Sequence, residues 1–160
     1  MKSREIFIYI TMVLGFFSVD ANAQQKGSIL DKKNSELLDE KLEKLNKELG
    51  GTTELAFEKK RMEVKFIENG EPYRIDYVYV ETLNPDEVYF SEQENAVIAK
   101  CKSKDELKGK LKKFSGGCIE RHIIKNDIIR AYYRINFDVP GDKDTFIEEL
   151  KDLIVKATED

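Results

Sequence analysis

The chain is poor in the residues from which most catalytic and metal sites are built. It has one histidine, two cysteines and no tryptophan in 160 residues. No CxxC motif is present, so a redox or copper-carrier role of that type has nothing behind it. Neither sign of charge dominates, because 27 Lys plus Arg against 31 Asp plus Glu leave 27 − 31 = −4, with the signs mixed along the chain. Phosphate binding needs concentrated Lys and Arg, so nucleic acid is excluded as the main partner. Charge of both signs is plentiful, however: 36 % of the residues are charged, against roughly 25 % in ordinary globular domains. The 41 % that are apolar suffice for a core, and the length points to one domain.

Long apolar runs are also missing, with one short exception at the start. Lys2 and Arg4 precede an apolar run of 12 residues, Ile6 to Phe17, followed by Ser18-Val19-Asp20 and then Ala21-Asn22-Ala23-Gln24. A basic start, a short apolar stretch and a small-x-small end have the order of a secretory signal peptide over residues 1–23, with cleavage after Ala23. A membrane-spanning helix needs about 20 apolar residues, and this run stops at Asp20. No cysteine stands at the cleavage position to carry a lipoprotein anchor. Cleavage leaves 160 − 23 = 137 residues, and because the removed piece carries two charges of each sign the mature charge stays at −4. The expectation is an exported, soluble protein of a bacterial periplasm or the cell exterior, with no membrane span in the mature chain.

Residues 24–34 are polar and read as a flexible lead-in to a single domain over 35–160. Leu38, Leu42, Leu45 and Leu49 form one apolar stripe of a helix near 35–49, which Gly50-Gly51 stops. Asn69-Gly70 marks a type I′ hairpin and, taken alone, pairs Phe66 with Tyr73, Val64 with Ile75 and Met62 with Tyr77 on a buried face. Glu63, Lys65, Arg74 and Asp76 then face water, and Val78 and Val80 also point away from the core. Leu55 and Phe57 run in the opposite phase to Met62 and Val64, which a bulge or bend at 58–61 would reconcile.

Asn84-Pro85-Asp86 breaks the pattern, and a second hairpin follows with strands near 88–91 and 96–101. Ser103 and Glu106 form a capping box for a helix to about Phe114. A third hairpin turns near Lys125-Asn126-Asp127, and its second strand alternates from Ile129 to Val139 before Pro140-Gly141. A last helix spans about 144–156, with Phe146, Ile147, Leu150, Leu153 and Ile154 on one side. The expected fold is α+β: a two-layer, mostly antiparallel sheet of about six strands in hairpins, with three amphipathic helices on one face.

Cys101 and Cys118 are the candidate disulfide. Export favours the bond, but strands lying as parallel neighbours would put the two cysteines at opposite ends of the sheet, beyond the roughly 7 Å Cα limit. His122 shares a strand face with Cys118 and Glu120, at a spacing too long for a Cys–His nucleophile pair. Arg130, Tyr132 and Arg134 lie along one polar face and make a candidate binding surface, since Tyr and Arg often anchor interfaces. No catalytic set, metal ligand set or cofactor motif emerges. The function expected is a non-enzymatic binding or interaction domain whose partner is another envelope or extracellular protein. The alternatives are a small exported hydrolase using carboxylates alone, and a metal-handling protein using Cys101, Cys118 and His122.

Overall fold

The computed structural model describes residues 37–58, 61–103, 105–107 and 117–159. The expected signal peptide, the cleavage position after Ala23 and the lead-in 24–34 lie outside these residues. So does the expected middle helix beyond Leu107. Its capping box is present: Glu106 N–H donates to Ser103 Oγ at 3.3 Å, and Ser103 N–H donates to a Glu106 carboxylate oxygen at 2.7 Å.

Helix α1 covers 37–49, and eight strands follow: β1 (Thr53–Glu58), β2 (Arg61–Glu68), β3 (Glu71–Tyr79), β4 (Leu83–Ser91), β5 (Ala96–Cys101), β6 (Ile119–Ile123), β7 (Ile128–Tyr132) and β8 (Arg134–Phe137). Helix α2 (Lys143–Glu159) closes the chain. The fold is α+β with antiparallel strands, as expected. It differs in having eight strands in two sheets, ordered β1-β2-β3-β6-β7 and β4-β5-β8, and two helices among the described residues.

Two local features account for the extra strands. The phase reversal between Leu55 and Met62 is a hairpin: β1 and β2 pair with Glu58 opposite Arg61, which brings Leu55 opposite Val64 and Phe57 opposite Met62 on one face. The expected strand 129–139 breaks at Tyr133, so that β7 belongs to the larger sheet and β8 to the smaller.

Three connections cross between the sheets, and they meet along one seam. The chain passes from β3 to β4 through a 3₁₀ turn at Val80–Thr82, from β5 to β6 through 102–118, and from β7 to β8 through Tyr133. Lys102 N–H donates to Thr82 O at 2.8 Å, and Cys101 N–H donates to Tyr133 O at 2.9 Å. Gly117 fits there because it has no Cβ: with φ +146°, an added Cβ would sit 2.0 Å from Tyr132 O.

One apolar core joins both sheets and both helices. It contains Leu42, Leu45 and Leu49 of α1, Phe146, Leu150, Leu153 and Ile154 of α2, and Val64, Val78, Ile119, Ala99, Ile135 and Phe137 from the strands. Aliphatic stripes at helical and strand spacing thus meet in one interior. Between the helices, Lys41 is buried and donates to Glu149 at 2.7 Å while also pairing with Asp152. Burial lowers the Lys41 pKa, but the two carboxylates outweigh it and hold the ammonium above its ordinary value.

Candidate functional site

The Asn69-Gly70 turn forms as expected, with both residues at positive φ. Its register holds only for Ile67 opposite Pro72 and Glu68 opposite Glu71. Pro72 has no N–H to donate to the ladder, and bulges are where a strand tolerates proline. Tyr73 is the extra residue, and beyond it Phe66 faces Arg74, Val64 faces Asp76 and Met62 faces Val78. One residue of slip reverses every side chain of a strand. Tyr73 is therefore exposed, Ile75, Tyr77 and Tyr79 lie on the outer face, and Val78, Val80 and Asp76 are buried. The expected pairing of Phe66 with Tyr73, and the expected wet face carrying Arg74 and Asp76, are corrected accordingly.

The reversal puts charge on an apolar face. Asp76 is fully buried, and Arg121 of β6, directly opposite, donates to both its oxygens from Nε and Nη2 at 2.8 and 2.7 Å. Such a two-point contact is the strong geometry for an arginine and a carboxylate. Arg74 stands beside this pair, its Nε 3.3 Å from Asp76 Oδ1 but without hydrogen-bond geometry. The Nε and Nη2 of Arg74 are buried and have no hydrogen-bond partner. Burial lowers the Arg74 pKa, the attraction of Asp76 opposes it, and the Arg121 charge adds to the lowering. Each guanidinium lies over a ring: Arg74 is 3.4 Å from the centre of Phe66, and Arg121 4.1 Å from that of Tyr132.

The same row continues onto β7, where Arg130 lies opposite Arg121. Across three strands it reads Asp76, Arg121, Arg130, one negative charge followed by two positive ones. Arg130 and Tyr132 share this inner face of the sheet. Arg134 does not join them. It sits on β8 in the other sheet, where it donates to both Glu94 oxygens at 2.8 and 3.2 Å, and Asn136 donates to the same carboxylate. The expected surface of Arg130, Tyr132 and Arg134 is divided because the strand carrying it breaks at Tyr133.

Strand β7 is an outer strand of its sheet among the described residues. Its middle is open to solvent, with Ile129 60 % exposed and Arg130 and Ala131 exposed beside it. The other edge, β1, is protected. Asn46 of α1 accepts from Leu55 N–H at 2.7 Å and donates to Leu55 O at 2.9 Å, so a side-chain amide occupies that backbone position.

Cys101 and Cys118 are joined in a disulfide, with Cα atoms 5.8 Å apart. The two cysteines do not lie on parallel neighbours of one sheet. Cys101 ends β5 and Cys118 precedes β6, and the bond crosses the seam between the sheets. Oxidised sulfurs are not thiolate ligands, and among the described residues no three of His, Cys, Asp and Glu gather as a metal site. His122 lies 3.0 Å from Asp127 Oδ1 in the β6–β7 hairpin. Asp76, the one buried carboxylate among the described residues, has both oxygens committed to Arg121. No helix among the described residues is long and apolar enough to cross a membrane.

The sequence places Arg74 and Asp76 only on a wet face and gives Arg121 no role. The available signal was Pro72 two residues beyond the turn, together with a strand that is apolar in both phases, Tyr73-Ile75-Tyr77 and Val78-Val80. The chain matches no family model, no curated protein and no solved structure.

Proposed function

We propose that the chain is an exported, non-enzymatic binding domain that receives an extended segment of another envelope or extracellular protein along β7. The observation that carries this function is the contrast between the two edges of the larger sheet. Asn46 occupies the backbone of β1, whereas the middle of β7, Ile129 to Ala131, is exposed and pairs with no further strand among the described residues. An open strand offers a row of backbone donors and acceptors to a partner strand, and the one charge in the middle of β7, Arg130, deters indiscriminate pairing without covering that row. Adding a strand gives affinity through the main chain and specificity through alternate side chains. Export rests on the order of basic, apolar and small residues at the start, and the Cys101–Cys118 bond is compatible with an oxidising compartment.

The test is a photo-crosslinking amino acid placed singly at Ile129, Glu54 or Val155 in the full chain expressed in a bacterial host, with the envelope fraction illuminated. Crosslinks to a discrete partner from position 129, absent from 54 and 155, are expected. Equal labelling from all three positions, or none from 129, contradicts the assignment. N-terminal sequencing of the recovered chain should begin at Gln24, and a start at Met1 in the soluble cell interior overturns export.

A further inference from the structure

We infer that the segment received by β7 carries an acidic side chain at the position facing Arg130. This rests on the β7 edge being the binding edge, and adds what the edge selects.

The argument is one of register. In an antiparallel sheet, residues directly opposite one another share a face, and like charges there are destabilising. Arg121 is paired with Asp76 on one side and has Arg130 as its register partner on the other. No ion pair or hydrogen bond joins Arg130 to a described residue. The row therefore holds one carboxylate against two guanidiniums, with Arg74 a third on the same face. In a chain whose net charge is −4, this is a local excess of the opposite sign. A strand added beside β7 puts one residue in line with Arg130, and a carboxylate at that place ends the row with the missing charge. Arginine suits the task because its planar donors match a carboxylate in pairs.

The neighbouring rows set the rest of the pattern. On the outer face Ile75, His122 and Ile129 lie in line, so one residue flanking the acid meets Ile129 and should be apolar. On its other side the line is Tyr77, Glu120 and Ala131, where the exposed Ala131 leaves room for a second apolar side chain. The recognised pattern is apolar, acidic, apolar in an extended backbone. A second copy of the same chain fits poorly, because antiparallel pairing centred on Arg130 sets two Arg130 side chains against each other.

The experiment uses the full chain, isotope-labelled, and three synthetic peptides that differ only at the centre: acetyl-Thr-Thr-Ile-Glu-Ile-Thr-Thr-amide and its Gln and Lys versions. Amide shifts of β7 report binding. The Glu peptide should bind roughly threefold more tightly than the Gln peptide, the size of an exposed ion pair, and the Lys peptide more weakly than either. The preference should shrink with added salt and fall to about one in Arg130→Gln, a change at an exposed position. Equal binding of all three peptides at β7 overturns the acidic preference and leaves the edge in place. If no peptide moves the β7 amides, the edge assignment fails and the preference with it. Shifts of β7 that grow with protein concentration alone assign the edge to a second copy and overturn the inference.

Discussion

Asp76 sits fully buried on the core-facing side of the larger sheet, between Val64 on β2 and Arg121 on β6. A buried ion pair contributes little over apolar groups of the same size, but removing one partner strands the other. Asp76→Asn keeps the shape and removes the charge, leaving Arg121 and Arg74 beside each other with no counter-ion. A loss of about 3 kcal/mol in urea unfolding is expected. Arg74→Met goes the other way. It removes a guanidinium whose Nε and Nη2 have no hydrogen-bond partner, whose pKa burial depresses, and whose charge repels Arg121. That variant should be neutral or gain up to roughly 1 kcal/mol, since burying an unsatisfied polar group costs. Equal destabilisation by both variants would mean that Arg74 contributes to the fold as much as Asp76 does. At this scale the sequence misleads, because an Arg-x-Asp in an alternating strand looks like a wet face until the bulge at Tyr73 reverses it.

At the scale of elements, α1, α2 and the hairpin turns after β2, β4 and β6 are legible in the sequence, whereas the β1–β2 hairpin and the associations between elements are not. The leucine stripe at 38, 42, 45 and 49 and the Gly50-Gly51 stop are local signals, and α1 obeys them. The turns at 69–70, 92–95 and 125–127 are local too. What escaped is non-local: nothing around Tyr133 says that the strand changes sheets there, because alternation continues through the break. Nor does Asn46, on a helix face, announce that it holds the edge of β1. Its amide pairs with both the N–H and the C=O of Leu55, two contacts that only the packing of α1 on β1 creates. Asn46→Ala should cost about 1–2 kcal/mol for those bonds. It should also raise the rate of concentration-dependent aggregation, since the β1 edge loses its cover. Light scattering at matched stability separates the two effects, and a variant that is less stable but aggregates no faster would show that α1 covers the edge without Asn46.

Among the described residues, two sheets share one core and join along a seam. The chain crosses this seam at Val80–Thr82 and at Tyr133 with the hydrogen-bond ladder interrupted each time. The third crossing, from β5 to β6, is the longest, and it is there that Cys101 and Cys118 are bonded, 17 residues apart in sequence. An oxidising compartment favours the bond, and only parallel neighbouring strands in one sheet would keep the two cysteines apart. With Cys101 at the end of β5 and Cys118 just before β6 of the other sheet, the geometric objection disappears. Closing a loop of this size removes conformations from the unfolded chain and stabilises by about 3 kcal/mol in the chain-entropy picture. The double variant Cys101→Ser with Cys118→Ser should lose about that much in urea unfolding, and reductant should destabilise the wild type by a similar amount while leaving the variant unchanged. The location of the bond adds a second expectation. Amide exchange should speed first in Lys102, Cys118 and Ile119 at the seam, while Val64, Met62 and Leu55 in β1 and β2 keep their protection up to global unfolding. Uniform loosening of the whole larger sheet would instead mean that the bond acts on the fold as a whole and that the seam has no separate joint.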